Sequence, residues 1–211
     1  MLNELKSFTH VIWDWNGTLI EDLEVVVEIL CEQTDAAGLA QVSLEDYRRE
    51  FCFPLIDYYA KLGFQMDHQR LVELSQHFHE SYEEKFHKTR LYKGTESLLE
   101  TLANQGKTLS VLSLTRENDL KNYVNHFGLG KYVSHIYGCR AYPTEGKIDR
   151  GHELLEKTAA DREKTVIVGD TEYDYEVGKA LGVEVILVAD GYQAYERLSH
   201  LDCRVLPSRF N

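Results

Sequence analysis

The sequence has few prolines, few cysteines and no long hydrophobic run, and each shortage argues against a class of protein. Its 211 residues include three prolines and no low-complexity linker. The four cysteines form no C-x-x-C pair, which argues against a disulfide framework or a zinc site and predicts a reduced, cytoplasmic chain. Apolar runs such as 185–189 are too short to span a bilayer, and no segment resembles a signal peptide.

Positive charge is also in short supply. The chain has 23 lysines and arginines against 35 aspartates and glutamates, which gives a formal net charge of −12. Nucleic acids and anionic membranes attract proteins with an excess of positive charge, so we expect neither as a partner. Because an acidic surface repels anionic small molecules at long range, any anion-binding site must be locally positive.

The hydrophobic spacing divides the chain into a helical region and an alternating region. Between about residues 20 and 90 apolar residues recur at helical intervals, as at Leu23, Val26 and Leu30, and no strand pattern interrupts them. From Tyr92 onward short apolar strands alternate with amphipathic helices, which is typical of a mainly parallel sheet covered on both faces. The sequence therefore predicts an α/β fold with a Rossmann-like doubly wound core. We expect residues 1–19 and 91–211 to form this core and residues 20–90 an inserted all-helical cap.

Polar side chains stand where the predicted strands end. Asp14 ends the first strand, at 8–14, and Ser113 ends the second, at 108–113. Asp170 follows a later strand, at 165–169, and Asp174 would share a helix face with it. Because ligands of parallel sheets bind beyond the carboxyl ends of the strands, these side chains mark a site. Lys147 stands just before a predicted helix. The combination of carboxylates, a hydroxyl and this lysine suits Mg²⁺ and phosphoryl transfer.

These stretches resemble the motifs of the haloacid dehalogenase superfamily of phosphatases and phosphotransferases. Residues 14–18, D-W-N-G-T, resemble its first motif, D-x-D-G-T. Ser113 matches the second-motif Ser or Thr, Lys147 the third-motif Lys, and residues 169–174 the fourth motif, G-D-x-x-x-D. The four motifs occur in order across nearly the whole chain, and the tail that begins at Gly191 resembles phosphoglycolate-phosphatase-like members.

The resemblance implies a role for each matching position. Asp14 is the implied nucleophile, which would carry the phosphoryl group as an aspartyl-phosphate. The implied Mg²⁺ ligands are Asp14, the backbone carbonyl of Asn16, Asp170 and Asp174. The implied phosphate-binding positions are Gly17, Thr18, Ser113, Leu114 and Lys147. The implied partner is a small phosphorylated metabolite, and we expect a monomer or a weak homodimer.

Asn16 departs from the family's pattern. That position normally carries an Asp that protonates the leaving oxygen and then activates water, and an amide can do neither. Loss of a general acid–base typically costs ~10²–10⁴ in rate, and alkyl phosphates, whose leaving groups most need a proton, suffer most. The sequence therefore predicts a weak or specialised phosphohydrolase that favours activated substrates such as acyl phosphates or phosphoanhydrides.

The cap region does not identify the substrate. Residues 53–55, F-P-L, resemble a substrate loop of related enzymes. Candidate anion contacts are Arg48, Arg49 and Lys61. A solvent-exposed helix face explains each of these three better. Thr115 and Arg116 follow the second motif closely enough to reach a substrate, although Arg116 is equally an ordinary first-turn residue. Trp15 either packs in the core or faces the site entrance.

Three other functions compete with a phosphatase. A phosphonate-cleaving relative would need a cap lysine for a Schiff base, and Lys61 is the candidate. A dehalogenase would not need the acidic set that matches the Mg²⁺ ligands. A non-hydrolytic phosphometabolite-binding protein of the same fold would explain Asn16, but such a protein has no need of the nucleophile Asp14.

Overall fold

The fold centres on a six-stranded sheet in which every neighbouring pair is parallel. The computed structural model describes residues 1–140 and 146–208. The strands are β1 (His10–Trp13), β2 (Ile20–Glu21), β3 (Arg90–Leu91), β4 (Thr108–Arg116), β5 (His135–Cys139), β6 (Thr165–Gly169), β7 (Glu184–Val188) and β8 (Arg204–Leu206). The sheet has the order β5-β4-β1-β6-β7-β8, and β2 and β3 form a separate antiparallel ribbon. β1 therefore lies between β4 and β6, where the strand order changes direction and ligands of such sheets bind.

Side chains of the central strands alternate between two buried clusters. Val11 and Trp13 of β1 belong to the cluster on one face of the sheet, and Ile12 belongs to the cluster on the other. In β6, Val168 and Ile167 divide in the same way. Because successive strand residues point to opposite faces, apolar runs without polar interruptions form strands that are covered on both sides.

Nine α-helices lie within the described residues, and they cover both faces of the sheet or form a separate layer. They are α1 (Leu23–Ala36), α2 (Leu44–Glu50), α3 (Leu55–Lys61), α4 (His68–Lys85), α5 (Thr95–Asn104), α6 (Glu117–His126), α7 (Lys147–Thr158), α8 (Glu172–Leu181) and α9 (Tyr195–Leu198). Helices α5 and α6 contribute to the Val11 cluster, and α7 and α8 to the Ile12 cluster. Helices α1–α4 pack around a third cluster, which also contains Tyr192.

The predicted α/β fold with a Rossmann-like doubly wound core is confirmed, with local differences. The expectation that no strand interrupts residues 20–90 is wrong, because β2 and β3 lie at the two ends of that region. Two-residue strands are too short to show an alternating pattern. Helix α7 begins at Lys147 rather than near Asp149, and Gly146, in an extended conformation, is its N-cap. The division into core and cap stays a prediction, and its residues 141–145 and 209–211 lie outside the described residues.

The structure also bears on the expectations about disulfides and membrane-spanning segments. None of the four cysteines forms a disulfide within the described residues. Across the same part of the chain, no helix combines the length and the apolar character that crossing a membrane requires.

Candidate functional site

Asp14 lies immediately after β1, in the centre of the sheet edge. Its backbone N–H donates to the carbonyl of Val168 (2.9 Å), which ties it to β6. Its side-chain Oδ1 accepts a hydrogen bond from the N–H of Trp15 (2.6 Å) and contacts Nζ of Lys147 (2.7 Å). The residue is 8% exposed. The end of a buried strand therefore holds one carboxylate in a fixed position.

Lys147 joins Asp14 to a second carboxylate. It is the first residue of α7, and its Nζ contacts Oδ1 of Asp14 and Oδ1 of Asp174, both at 2.7 Å. Burial alone would lower the pKa of Lys147, but the charges of Asp14 and Asp174 outweigh this effect and raise that pKa. Lys147 is therefore a fixed cation in a buried acidic site.

Asp170 and Asp174 are held by the start of α8 and by two loops. Asp170 accepts hydrogen bonds from the hydroxyl of Thr18 (2.6 Å) and the N–H of Tyr192 (2.6 Å), one at each oxygen. Asp174 Oδ2 accepts the hydroxyl of Thr171 (2.7 Å) in a capping box at the helix start. Because Asp174 Oδ1 contacts Lys147, both of its oxygens are occupied.

The three carboxylates form a compact acidic cluster, defined here as Asp14, Asp170 and Asp174. Each offers an oxygen within 4.8 Å of the others. Burial, followed by the charge of Asp174, raises the pKa of Asp14 to about 7, although Lys147 opposes the shift. Burial and the neighbouring charges of Asp14 and Asp174 likewise raise the pKa of Asp170. A cluster of this kind suits a hard cation.

Glycines allow the backbone to approach this cluster closely. Gly17 has a φ of +70°, and a Cβ at this residue would overlap the carboxylate of Asp170 and the ring of Tyr192. A Cβ at Gly191 would also collide with Asp170. The turn after Asp14 and the loop after β7 therefore meet at Asp170 only because both carry glycine.

Predicted site residues lie around one cavity of about 280 Å³. Those that line it are Asp14, Asn16, Ser113, Leu114 and Lys147. Strand β4 continues to Arg116, so Ser113 lies within the strand and not at its end as the sequence predicts. Its Oγ accepts the N–H of Thr115 (3.1 Å), which orients the hydroxyl. Asp170 and Asp174 do not line the cavity and lie beside Asp14 and Lys147.

Gly17 and Thr18 lie in the turn but do not line the cavity. The N–H of Gly17 donates to Asp22 Oδ1 (3.1 Å), and the N–H of Thr18 donates to the carbonyl of Trp15 (3.3 Å). The backbone N–H groups of these two implied phosphate-binding positions are therefore directed inside the turn. Their observed contribution is to shape the turn and, through the Thr18 hydroxyl, to hold Asp170.

Asn16 is held by both ends of its amide. Its Nδ2 donates to Asp22 Oδ2 (2.7 Å) and to the hydroxyl of Tyr82 (3.2 Å), while its Oδ1 accepts the hydroxyl of Thr115 (2.9 Å). Asp22 is 1% exposed and also accepts the hydroxyl of Tyr192 (3.0 Å). Burial raises the pKa of Asp22, and the hydrogen bonds from Asn16, Tyr82 and Tyr192 oppose the shift.

Sequence reasoning missed Asp22 and its tyrosine partners. The available signal is a pair of carboxylates, Glu21 and Asp22, between the apolar residues Ile20 and Leu23, but the helical pattern that begins there masks it. Helical spacing predicts that Tyr82 lies on the inward face of α4, but it does not reveal that the Tyr82 hydroxyl donates to Asp22 (2.7 Å). The sequence did point to Thr115, which lines the cavity together with Arg116.

The other candidate contacts fall elsewhere. Arg48 donates to the carbonyl of Ala189 (2.6 Å), Arg49 pairs with Asp46 on the surface, and Lys61 lies near the carbonyl of Glu50 (3.4 Å). None of these three cations lines the cavity. Trp15 is fully buried and packs against Phe127, with ring centroids 6.2 Å apart, so it does not face the site entrance.

Comparison with known proteins supports the same grouping. The family model of haloacid dehalogenase-like hydrolases matches residues 11–188. The phosphoglycolate phosphatase of Aquifex aeolicus (strain VF5) is 28% identical over 195 residues, which cover 86% of this chain and 85% of that protein. Pyrophosphatase PpaX of Halalkalibacterium halodurans is 23% identical over 197 residues, which cover 91% of this chain and 88% of that protein.

A solved structure agrees at the level of the fold. A haloacid dehalogenase-like hydrolase from Streptococcus pneumoniae has a TM-score of 0.80 to this chain at 19% identity, and the match covers 94% of each chain. The predicted resemblance to phosphoglycolate-phosphatase-like members and the expectation of a phosphatase-type hydrolase are therefore confirmed. With its motifs in order and the family model matched over most of its length, the chain belongs to the haloacid dehalogenase-like hydrolases.

Proposed function

We propose that the protein is a Mg²⁺-dependent phosphatase that moves a phosphoryl group from a small phosphorylated metabolite to Asp14 and then to water. The observation that carries the proposal is the contact of buried Asp14 with Lys147 beside Asp170 and Asp174, at a cavity also lined by Ser113. Its relatives support the reaction class, since they are named for hydrolysis of a phosphate ester or a phosphoanhydride. We further propose a cytoplasmic monomer or weak homodimer without nucleic-acid or membrane partners.

The acidic cluster suits a hard divalent cation. The three ionised carboxylates and the single ammonium of Lys147, which contacts two of them, leave two negative charges that one Mg²⁺ would neutralise. Asp14 and Asp170, with the backbone carbonyl of Asn16, would hold the ion, and Asp174, whose oxygens are both engaged, would assist through water. When bound, the ion supplies charge neutralisation on the phosphoryl oxygens.

Asp14, Lys147 and Ser113 have different roles in the proposed reaction. An oxygen of Asp14 attacks phosphorus, the new O–P bond forms, and the bond to the leaving oxygen breaks with its electron pair. Lys147 neutralises charge that develops on the phosphoryl group, and the Ser113 hydroxyl donates to one of its oxygens. In the second step a water oxygen attacks phosphorus, its proton passes to solvent, and phosphate and the Asp14 carboxylate are released.

Asn16 restricts which substrates can react. The amide holds Asp22 and Thr115 through its two ends and has no titratable proton to exchange with a leaving group or with water. We therefore propose that activated phosphates, such as acyl phosphates and phosphoanhydrides, react better than alkyl phosphates. The loss of proton transfer is worth about 10²–10⁴ in rate for the substrates that need it most.

Mg²⁺-dependent phosphate release from an activated aryl phosphate tests the proposal. Asp14→Asn should lower kcat by at least about 10⁴-fold, since removal of a nucleophile leaves only binding effects. Asp35→Asn, at an exposed position near the end of α1, is the matched control and should leave the rate unchanged. Equal rates for wild type and Asp14→Asn would refute the proposal. A wild-type rate tenfold above the Asp14→Asn rate would exclude a protein that only binds phosphometabolites.

The competing functions have less support. A phosphonate-cleaving enzyme would need a lysine able to form a Schiff base with substrate, and Lys61 lies outside the cavity lining. A pure binding protein would stand apart from relatives that are named as hydrolases. We therefore retain the phosphatase as the function that the site supports best.

A further inference from the structure

We propose that the substrate is an aryl phosphate monoester, whose aromatic ring occupies the cavity beside Asp14 while its phosphoryl group meets Asp14 and Lys147. The inference rests on the proposed function and narrows its substrate to one chemical class. Two independent features support it, namely the aromatic wall of the cavity and the amide at Asn16. They concern different parts of the substrate, the ring and the leaving oxygen.

Much of the cavity lining is aromatic, and these rings form the aromatic wall. The rings that line it include Tyr47, Phe51, Phe53, Tyr58, Phe78 and Tyr82. They come from α2, α3, α4 and the loop before α3, so helices from different parts of the chain present rings to one space. Aromatic side chains bind aromatic ligands through offset-stacked and edge-to-face contacts as well as through burial.

The rings of the aromatic wall also pack on one another. Phe51 stacks on Tyr47 with ring centroids 4.7 Å apart and meets Tyr58 edge-on at 5.2 Å. Tyr192 contacts the same pair, at 5.5 Å from Tyr47 and 5.8 Å from Phe51. Rings that pack on each other in this way lose little freedom when a ligand binds, so the wall is preorganised.

The size of the cavity suits one ring and a short substituent. Its volume is about 280 Å³, near the lower end of small-molecule sites. Benzene enters apolar cavities of about 150 Å³ in other proteins. A phenyl ring therefore fits here, with space left for the phosphoryl group.

Charge in the same lining disfavours a second anionic group on the substrate. Apart from Asp14 and Lys147, its charged residues are Arg116, Glu80, Glu83 and Asp119. Burial lowers the pKa of His79, which also lines the cavity, to about 4, so this ring is neutral at pH 7. Three carboxylates against one guanidinium would repel a carboxylate or a second phosphate. A phosphorylated phenol with a neutral or cationic substituent avoids that repulsion.

The leaving group of an aryl phosphate also matches the amide at Asn16. When Asp14 attacks phosphorus, the P–O bond to the ring breaks and its electron pair stays on the phenolate oxygen. A phenol has a pKa near 10, far below that of an alkyl alcohol, so phenolate departs without prior protonation. The phenolate then takes a proton from solvent. The first step therefore proceeds without the general acid that Asn16 cannot supply.

Binding of two phosphonates and of inorganic phosphate in the presence of Mg²⁺ tests the substrate class. Benzylphosphonate imitates an aryl phosphate, phosphonoacetate carries a carboxylate instead of the ring, and inorganic phosphate has neither. Calorimetric titration should show that benzylphosphonate binds about 10- to 100-fold more tightly than phosphonoacetate, because its ring is buried. Phe78→Leu should weaken benzylphosphonate about 3- to 10-fold and leave inorganic phosphate unchanged.

A control variant and the titration with inorganic phosphate distinguish the possible results. Phe8→Leu changes a half-buried phenylalanine just before β1, outside the cavity lining, and should alter none of the three affinities. If phosphonoacetate binds as tightly as benzylphosphonate, the aryl class is wrong while the phosphate site stands. If Phe8→Leu weakens benzylphosphonate as much as Phe78→Leu does, the ring does not occupy the cavity. If inorganic phosphate fails to bind, the proposed function falls, and the aryl class falls with it.

Discussion

Two parts of the candidate site, called here the charged end and the aromatic end, are built by different means. At the charged end, Asp14 and Asp170 directly follow strands β1 and β6, and Lys147 opens helix α7. At the aromatic end, rings from α2, α3 and α4 meet through packing between helices. The charged end is therefore fixed by short segments at the edge of a sheet, whereas the aromatic end depends on how several helices assemble. The first kind of site can be recognised from local sequence, and the second cannot.

A single buried carboxylate joins the two ends. Asp22 accepts hydrogen bonds from Asn16 and Gly17 in the turn after Asp14, and from Tyr82 of α4 and Tyr192 after β7. A change at Asn16 therefore acts on helix α4 as well as on the chemistry. The two ends are distinct in composition but are coupled through Asp22.

The largest expected effect comes from exchanging the amide and the carboxylate of the Asn16–Asp22 pair. Asn16→Asp alone places a carboxylate where a donor now faces Asp22 at 2.7 Å, so repulsion should limit the gain and destabilise the fold. The double variant Asn16→Asp with Asp22→Asn restores a donor–acceptor pair and supplies an acid–base. Its kcat/KM for an alkyl phosphate should exceed the wild-type value by about 10² or more.

The single variants provide the controls for this exchange. Asp22→Asn alone offers no acid–base at position 16 and should bring no gain on alkyl phosphates. If Asn16→Asp alone performed as well as the double variant, with unchanged stability, the coupling of the two ends through Asp22 would be wrong.

The charged end should make the response to Mg²⁺ depend on pH. The pKa of Asp14 is raised from 3.8 to about 7, so between these values the unfolded carboxyl has lost a proton that the folded one keeps. The metal-free protein should therefore lose stability as pH rises through this range, and Asp170 acts in the same direction. Saturating Mg²⁺ should raise Tm by about 5 °C or more at about pH 8, and by less at about pH 5.5.

Asp170→Asn is the control for the metal effect. It removes one charge from the acidic cluster and should abolish most of the Mg²⁺-dependent rise in Tm, which thermal unfolding followed by tryptophan fluorescence would detect. A rise that is equal at both pH values and persists in Asp170→Asn would place the ion elsewhere.

The smallest expected effect compares two buried tyrosines. The Tyr192 hydroxyl donates to Asp22 (3.0 Å), whereas the buried hydroxyl of Tyr58 has no hydrogen-bond partner among the described residues. Tyr192→Phe should therefore lower the free energy of unfolding by about 1.5 kcal/mol, and Tyr58→Phe should change it by less than about 0.5 kcal/mol. Urea unfolding of both variants measures the difference. Equal losses in the free energy of unfolding would show that the hydrogen bond from Tyr192 to Asp22 adds no stability.

Much of the charged end could be anticipated from the sequence. Asp14, Ser113 and Asp170 each stand at the end of an apolar run, and parallel strands bring their carboxyl ends to one edge of the sheet. The structure brings Asp14, Lys147 and the acidic pair together as that rule predicts. The turn was less predictable, because the N–H of Gly17 donates to Asp22 rather than into the cavity.

The hydrogen bonds to Asp22 and the aromatic end could not be anticipated, because their contacts link distant parts of the chain. Tyr82 is 60 residues from Asp22, and Tyr192 is 170 residues from it. Helical spacing showed that Tyr82 faces inward, but a buried tyrosine reveals neither its hydroxyl partner nor the cavity beside its ring. Strands β2 and β3 cannot be predicted for a related reason. Each has two residues, and they pair only because Ile20 meets Leu91 and Glu21 meets Arg90.

The most direct test of the central claim, that Asp14 is a nucleophile whose second step lacks assistance from Asn16, is the time course of phenolate release from an aryl phosphate. Stopped-flow measurement with excess p-nitrophenyl phosphate and Mg²⁺ should show a rapid burst of about one equivalent of phenolate per protein, followed by slower steady release. Asp14→Asn should show no burst. Release that is linear from the start, with alkyl phosphates turned over as fast as aryl phosphates, would contradict the account.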